Sequence, residues 1–171
     1  DQGGKDTEAA IRSVFGNDVA DIVMACSDAV AIPKPPWKER KQHHIDSLEK
    51  ASLPVLMVIA ADKLSNMRML LDDYRYACAS EEKIAALWAP FKGGRDGSIW
   101  YYKQMALAIR RGCVAQIGFK AAEGTVCGPA HNILRIGDEL MRTVEALEEL
   151  VHRHETDQRV PFRSEHGQQG V

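Results

Sequence analysis

The sequence has few cysteines and no long apolar run, and both absences exclude classes of protein. Four cysteines occur in 171 residues, at positions 26, 78, 113 and 127, and no two of them form a Cys-x-x-Cys pair. This spacing gives no disulfide framework, so we expect a reducing, cytoplasmic environment. The longest apolar stretch, around residues 54–61, is too short to cross a bilayer, so no membrane partner is expected.

An excess of positive charge is also missing. Lys and Arg number 22 against 24 Asp and Glu, which gives a net charge of −2. Nucleic-acid binders need enough basic residues to neutralise several phosphates, and this balance offers no case for one. Any site for an anion must therefore be local.

Helical periodicity, in contrast, extends along nearly the whole chain. Hydrophobic residues make up 45% of the sequence, which is enough for one substantial core and one domain. Apolar residues recur at helical spacing and no strand pattern is convincing, so the predicted fold class is all-α. The predicted helices cover approximately residues 6–16, 17–26, 36–50, 54–76, 80–90, 98–111 and 132–155.

Two segments depart from this periodicity. Residues 112–131 contain four glycines and a proline and show no clean period, so we predict an irregular connection or an insertion. From residue 156 the sequence is polar and contains glycine, which predicts a disordered tail over residues 156–171. The predicted domain therefore covers residues 1–155.

One acidic residue lies within the most apolar of the predicted helices. The sequence Ala-Ala-Asp-Lys-Leu-Ser-Asn-Met-Arg-Met-Leu at residues 60–70 surrounds Asp62 with apolar neighbours. Because a buried carboxylate is costly without a partner, we expect Asp62 to have a cation. Asn66 follows four residues later, on the same helical face. Two interpretations stay open: a structural pair with Lys or Arg, or a metal or ligand role.

An ordered set of short motifs flanks Asp62. They are Phe15-Gly16-Asn17-Asp18, Ser27-Asp28, Pro33-Lys34-Pro35-Pro36-Trp37, Ala61-Asp62-Lys63-Leu64-Ser65-Asn66, Trp88-Ala89-Pro90-Phe91, Gly93-Gly94 and Trp100-Tyr101-Tyr102. In this order and spacing the set resembles the HD-domain phosphohydrolases, specifically the RelA/SpoT-type branch of guanosine polyphosphate hydrolases with its stand-alone small alarmone hydrolases. The resemblance covers approximately residues 1–111.

The resemblance implies an all-helical HD-type bundle that uses a divalent metal, usually manganese (Mn2+). The implied reaction is removal of pyrophosphate from the 3′ position of guanosine tetraphosphate (ppGpp). In this interpretation Asp62 ligates the metal through a hard carboxylate oxygen, and Asn66 lies beside the nucleotide. Lys34 matches the family's phosphate-binding lysine, while Arg40 and Lys41 supply further cations for the phosphate chain.

Asp1 resembles the family's catalytic acid, and it also marks a departure from the family pattern. Family members carry an early histidine and a His-Asp-x-x-Glu-Asp motif, and Asp1 falls at the last Asp of that motif. The sequence opens with Asp1-Gln2-Gly3-Gly4, so we expect an N-terminally incomplete copy with weak or absent manganese binding and negligible activity. The competing hypothesis is a non-catalytic helical module that binds a nucleotide or a protein partner, including a second copy of itself.

Overall fold

Every element of the fold is helical in the part of the chain that the structure, a computed structural model, describes: residues 4–27, 35–121 and 128–159. These residues form seven α-helices and one 3-10 turn and contain no β-strand, which confirms the all-α class. None of the described helices combines the length and apolarity that a membrane crossing requires. Two predicted site residues, Asp1 and Lys34, lie outside the described residues.

The helices follow the sequence prediction closely over the first hundred residues. They are α1 (Gly4–Phe15), α2 (Asn17–Cys26), α3 (Trp37–Ser47), the 3-10 turn (Leu48–Lys50), α4 (Leu53–Ala77), α5 (Glu81–Trp88), α6 (Gly94–Ala121) and α7 (Gly128–Arg159). The helix boundaries have local causes. Pro54 lies in the first turn of α4, where its missing N–H costs nothing, and Gly16 separates α1 from α2 with a φ of 84°.

Three long helices, α4, α6 and α7, pack against one another and form the core. The predicted apolar stripe of α7 is buried, with Leu140, Val144 and Leu147 fully inaccessible to solvent. Leu56 of α4 and Met105 of α6 are equally inaccessible and belong to the same cluster. Burial of a stripe at helical spacing is what stabilises helices of this length in water.

The shorter helices are arranged around this core. The helix α3 and the 3-10 turn pack on α6, α5 packs on α4, and α2 packs on α4. The first helix, α1, packs on α2 and buries no residue. The consequence is that α3, α4 and the beginning of α6 come together on one side of the molecule.

The prediction of an irregular connection at residues 112–131 is wrong for the part of this segment that the structure describes. The helix α6 continues to Ala121 and α7 already begins at Gly128, so residues 112–121 and 128–131 are helical. Gly112 is not a helix breaker but a contact residue: a Cβ there would overlap the carbonyl oxygen of Leu48. The predicted tail also starts too early, because α7 extends to Arg159.

Candidate anion-binding site

A cavity of about 310 Å³ lies between α3, α4, the α5–α6 connection and the first turns of α6. Its described lining has no Asp or Glu but four cationic side chains: Arg40, Lys41, Lys63 and Lys92. Like charges gathered around one small volume raise the local positive potential and favour an anion. We call this volume the four-cation cavity.

The third helix brings two of the predicted site residues, Arg40 and Lys41, to this cavity. Arg40 Nε donates a hydrogen bond to the carbonyl oxygen of Pro35 over 3.2 Å, which fixes the guanidinium near the start of α3. The Lys41 ammonium lies 4.8 Å from the centroid of the Tyr101 ring, in cation–π range. Both side chains are half-buried, so each is oriented by its neighbours.

Aromatic rings form the wall between α3 and α6. The centroid of Trp37 lies 6.2 Å from that of Trp100 and 6.5 Å from that of Tyr101. The indole also lies against Gly93, where an added Cβ would come within 2.5 Å of the Trp37 ring. Gly93 therefore permits this close approach, and Gly94, with a φ of 61°, begins α6.

Asp62 lies beside the cavity but is not buried as the sequence predicted. Its side chain is 52% exposed, because the buried face of α4 runs through residues such as Ala60 and Leu64. The Lys63 ammonium donates to Asp62 Oδ2 over 2.6 Å, and Asn66 Nδ2 donates to Asp62 Oδ1 over 3.1 Å. Of the two interpretations of Asp62, the pair with a lysine is observed, and the metal role stays a prediction.

The electrostatic influence of Asp62 reaches two neighbouring helices. Burial, with a smaller contribution from the Asp62 charge, raises the pKa of Tyr102 to about 12. Burial also raises the pKa of the Cys26 thiol on α2, while the Lys63 charge lowers this pKa and the Asp62 charge raises it. The Asp62–Lys63 pair thus lies where α2, α4 and α6 approach one another.

Asn66 lines a different cavity from Arg40 and Lys41. This second cavity has a volume of about 480 Å³ and is mostly apolar, with Asn66 and Asp73 among its polar residues. It borders the four-cation cavity, since Pro90, Phe91 and Tyr102 line both. The structure therefore places Arg40 and Lys41 beside one volume and Asn66 beside the adjacent one.

The described residues do not form a site that fits a divalent metal. No group of three His, Cys, Asp or Glu side chains in ranges 4–27, 35–121 and 128–159 is arranged to hold one. Both oxygens of the Asp62 carboxylate already accept hydrogen bonds. The buried His44 is engaged in the protein interior, with its Nδ1 at 3.1 Å from the Tyr101 hydroxyl oxygen.

Sequence reasoning missed two of the four cations, Lys63 and Lys92. Lys63 adjoins Asp62 in sequence, and neighbouring helical residues are not expected to face each other. Its long side chain nevertheless reaches both Asp62 and the cavity. Lys92 precedes the Gly93-Gly94 pair, and its position before a glycine-rich connection was the available signal.

Comparison with known proteins gives one match. Residues 1–100 match the family model described as HD domain. No curated protein and no solved structure matches the chain significantly. The matched span contains all four lysine and arginine residues of the cavity and ends at Trp100, immediately before Tyr101.

Proposed function

Because the chain belongs to the HD domain family, whose superfamily comprises metal-dependent phosphohydrolases, we propose that its four-cation cavity binds the diphosphate of a guanosine polyphosphate. The observation that carries this proposal is the convergence of Arg40, Lys41, Lys63 and Lys92 on a volume with no acidic residue in its described lining. The chain as a whole is slightly acidic, so this concentration of positive charge is local.

The chemistry of these side chains suits a phosphate chain. Arginine offers a planar set of donors that matches two phosphoryl oxygens, and lysine offers a mobile point charge. Arg40 already has its Nε bonded to the Pro35 carbonyl, which orients the outer edge of the guanidinium. In the proposal Lys34 adds another phosphate contact, as the family resemblance implies.

The rest of the nucleotide has room in the second cavity. Its volume of about 480 Å³ falls in the range of small-molecule sites, and its apolar walls suit a flat base. Asn66 offers both a donor and an acceptor for ribose or base. Tyr102, which lines both cavities, would lie between the diphosphate and the nucleoside.

Hydrolysis in this superfamily uses a bound metal, which supplies an activated water when present. The family resemblance names Mn2+ as that metal, Asp62 as one ligand and Asp1 as the acid that orients the water. The described residues do not complete such a site. We therefore propose that this chain binds guanosine polyphosphate but cleaves it at a negligible rate.

Calorimetric titration of ppGpp into the purified chain tests the proposal. Lys41→Gln and Lys92→Gln should each weaken binding about 10-fold, because each removes a charged hydrogen bond worth about 1.5 kcal/mol. Lys50→Gln, an exposed lysine outside the cavity, is the matched control and should leave the Kd unchanged. Equal affinity for the Lys41→Gln/Lys92→Gln double variant and the wild type would exclude this cavity as the site.

Pyrophosphate release from ppGpp in the presence of Mn2+ tests the second half of the proposal. The expected result is a rate indistinguishable from that of ppGpp with Mn2+ alone. Robust turnover that chelation abolishes would contradict it and would show that the chain holds a complete metal site.

A second candidate function, a partner-binding module, is favoured by apolar side chains on the N-terminal helices. Val14 and Phe15 at the end of α1 are 71% and 64% exposed, and Val19 and Val23 on α2 are also exposed. Exposed apolar side chains of this kind are typical of surfaces that mediate self-association. Sedimentation of the wild type and of Phe15→Ser tests this: a dimer that dissociates in the variant supports it, and a wild-type monomer excludes self-association.

A further inference from the structure

Lys63 is an unusually enclosed lysine, with only 17% of its side chain exposed. Its ammonium group lies 2.6 Å from Asp62 Oδ2, and the same side chain lines the four-cation cavity. Long lysine side chains normally keep their charged ends in water. A mostly buried lysine beside a cavity therefore needs a hydrogen-bonding partner that holds its ammonium group in place.

Asp62 and Asn66 supply the restraint. Asn66 Nδ2 donates to Asp62 Oδ1 over 3.1 Å, which fixes the carboxylate along one face of α4. The second oxygen, Oδ2, then accepts from Lys63. An ammonium group has three donors, and the bond to Asp62 uses one of them. The pair thus presents an oriented positive charge at the cavity wall.

Lys63 is one of four cationic side chains that line this volume of about 310 Å³, and the described lining contains no carboxylate. A diphosphate carries several negative charges and many acceptor oxygens. These oxygens can accept hydrogen bonds directly from lysine and arginine side chains, with no metal ion between them.

We propose that Lys63 is an anion-binding residue positioned by Asp62, and that the cavity binds diphosphate without a divalent metal. This inference rests on the proposed function for the class of ligand and goes beyond it by assigning a residue and an ion requirement. In this structure the Lys63 ammonium lies next to Asp62 Oδ2, one of the oxygens that the family resemblance assigns to a metal.

Inorganic pyrophosphate is the appropriate probe because it contains the proposed ligand group alone. Calorimetric titrations of the whole chain in EDTA and in Mn2+ should give Kd values within about threefold of each other. Lys63→Met should weaken binding at least tenfold in EDTA, and Lys63→Arg should restore it to within a few-fold of the wild type, since arginine keeps the charge.

Thermal melting of the same variants separates binding from structure. A merely structural Lys63–Asp62 pair would lower the Tm of Lys63→Met and leave the Kd of the folded protein unchanged, which would overturn the inference. Binding that is absent in EDTA and appears with Mn2+ would also overturn it. In both cases, weaker binding by Lys92→Gln than by the wild type would leave the proposed function intact. No binding by the wild type under any condition would overturn both the inference and the proposed function.

Discussion

The three long helices and the N-terminal helix pair bury their apolar side chains to very different extents. In α4, α6 and α7 the largest apolar residues, such as Leu56, Met105 and Leu140, are fully inaccessible. In α1 and α2 only Ala20 is buried, and Phe15 is mostly exposed. The free energy of folding therefore comes mainly from the long helices.

The residues that match the family model and the residues that form the core overlap only in part along the sequence. The match to the HD domain covers residues 1–100 and so includes both N-terminal helices. The whole of α7 and most of α6, which complete the core, follow the matched span. Residues that identify a family and residues that hold the fold together are thus partly separate here. Several motif residues, such as Trp37, Asn66 and Phe91, line the two cavities, and the core continues beyond the matched span.

The largest expected effect comes from one substitution made in each region. Val144 on α7 is fully buried and Val14 on α1 is 71% exposed, so Val→Ala removes the same two methyl groups in different surroundings. Val144→Ala should lower the free energy of unfolding by about 2–3 kcal/mol, the sum of lost burial and a residual cavity. Val14→Ala should change it by less than about 0.5 kcal/mol.

Urea denaturation followed by circular dichroism at 222 nm measures both values. Comparable losses of stability in the two variants would show that α1 contributes to the core. This result would contradict the difference in burial between the long helices and the N-terminal helix pair.

A smaller effect tests whether the segment after residue 111 belongs to the core. Gly112→Ala places a Cβ against the Leu48 carbonyl and should destabilise the protein by about 1–3 kcal/mol through overpacking. Gly118 lies in the same helix with open space around its Cβ position. Gly118→Ala should therefore stabilise the protein by up to about 1 kcal/mol, because alanine is the better helix former.

The opposite signs make this pair of variants informative. Denaturation midpoints that rise in both would mean that α6 does not approach the 3-10 turn closely. Midpoints that fall in both would mean that the helix does not extend through residue 118.

The sequence predicted the helices well wherever apolar residues recur at regular spacing. The bounds of α4 and the apolar stripe of α7 follow from this spacing and from the Ser52-Leu53-Pro54 start. Gly112 was misinterpreted because a glycine that ends a helix and a glycine that allows close packing look alike in one sequence. Only the tertiary contact distinguishes them.

The site was partly predictable, for a related reason. Arg40 and Lys41 are adjacent on one helix and therefore point about 100° apart around its axis. Their approach to a common cavity needs two long side chains as well as the orientation of α3. The exposure of Asp62 and the contribution of Lys92 depend on how α4 and the α5–α6 connection are rotated against neighbouring helices. Helical periodicity shows which face of a helix is apolar. Which other helix covers that face depends on contacts between residues that are distant in the sequence.

The smallest expected effect concerns the packing of α2 against α4. Burial raises the pKa of the Cys26 thiol above its ordinary value, and the Lys63 charge partly offsets this. The thiol form is therefore favoured in the folded protein, and the alkylation rate should rise with pH through and beyond pH 9, as the thiolate forms.

In a background with Cys78→Ser and Cys127→Ser, Lys63→Met should slow Cys26 alkylation at pH 8.5 by about twofold to threefold, since a nearby cation is lost. The fully buried Cys113 serves as the internal reference, because its slower reaction should not respond to Lys63→Met apart from any change in global stability. An unchanged Cys26 profile would indicate that α2 does not lie against Lys63, and that the N-terminal helix pair is even less attached to the core than the structure describes.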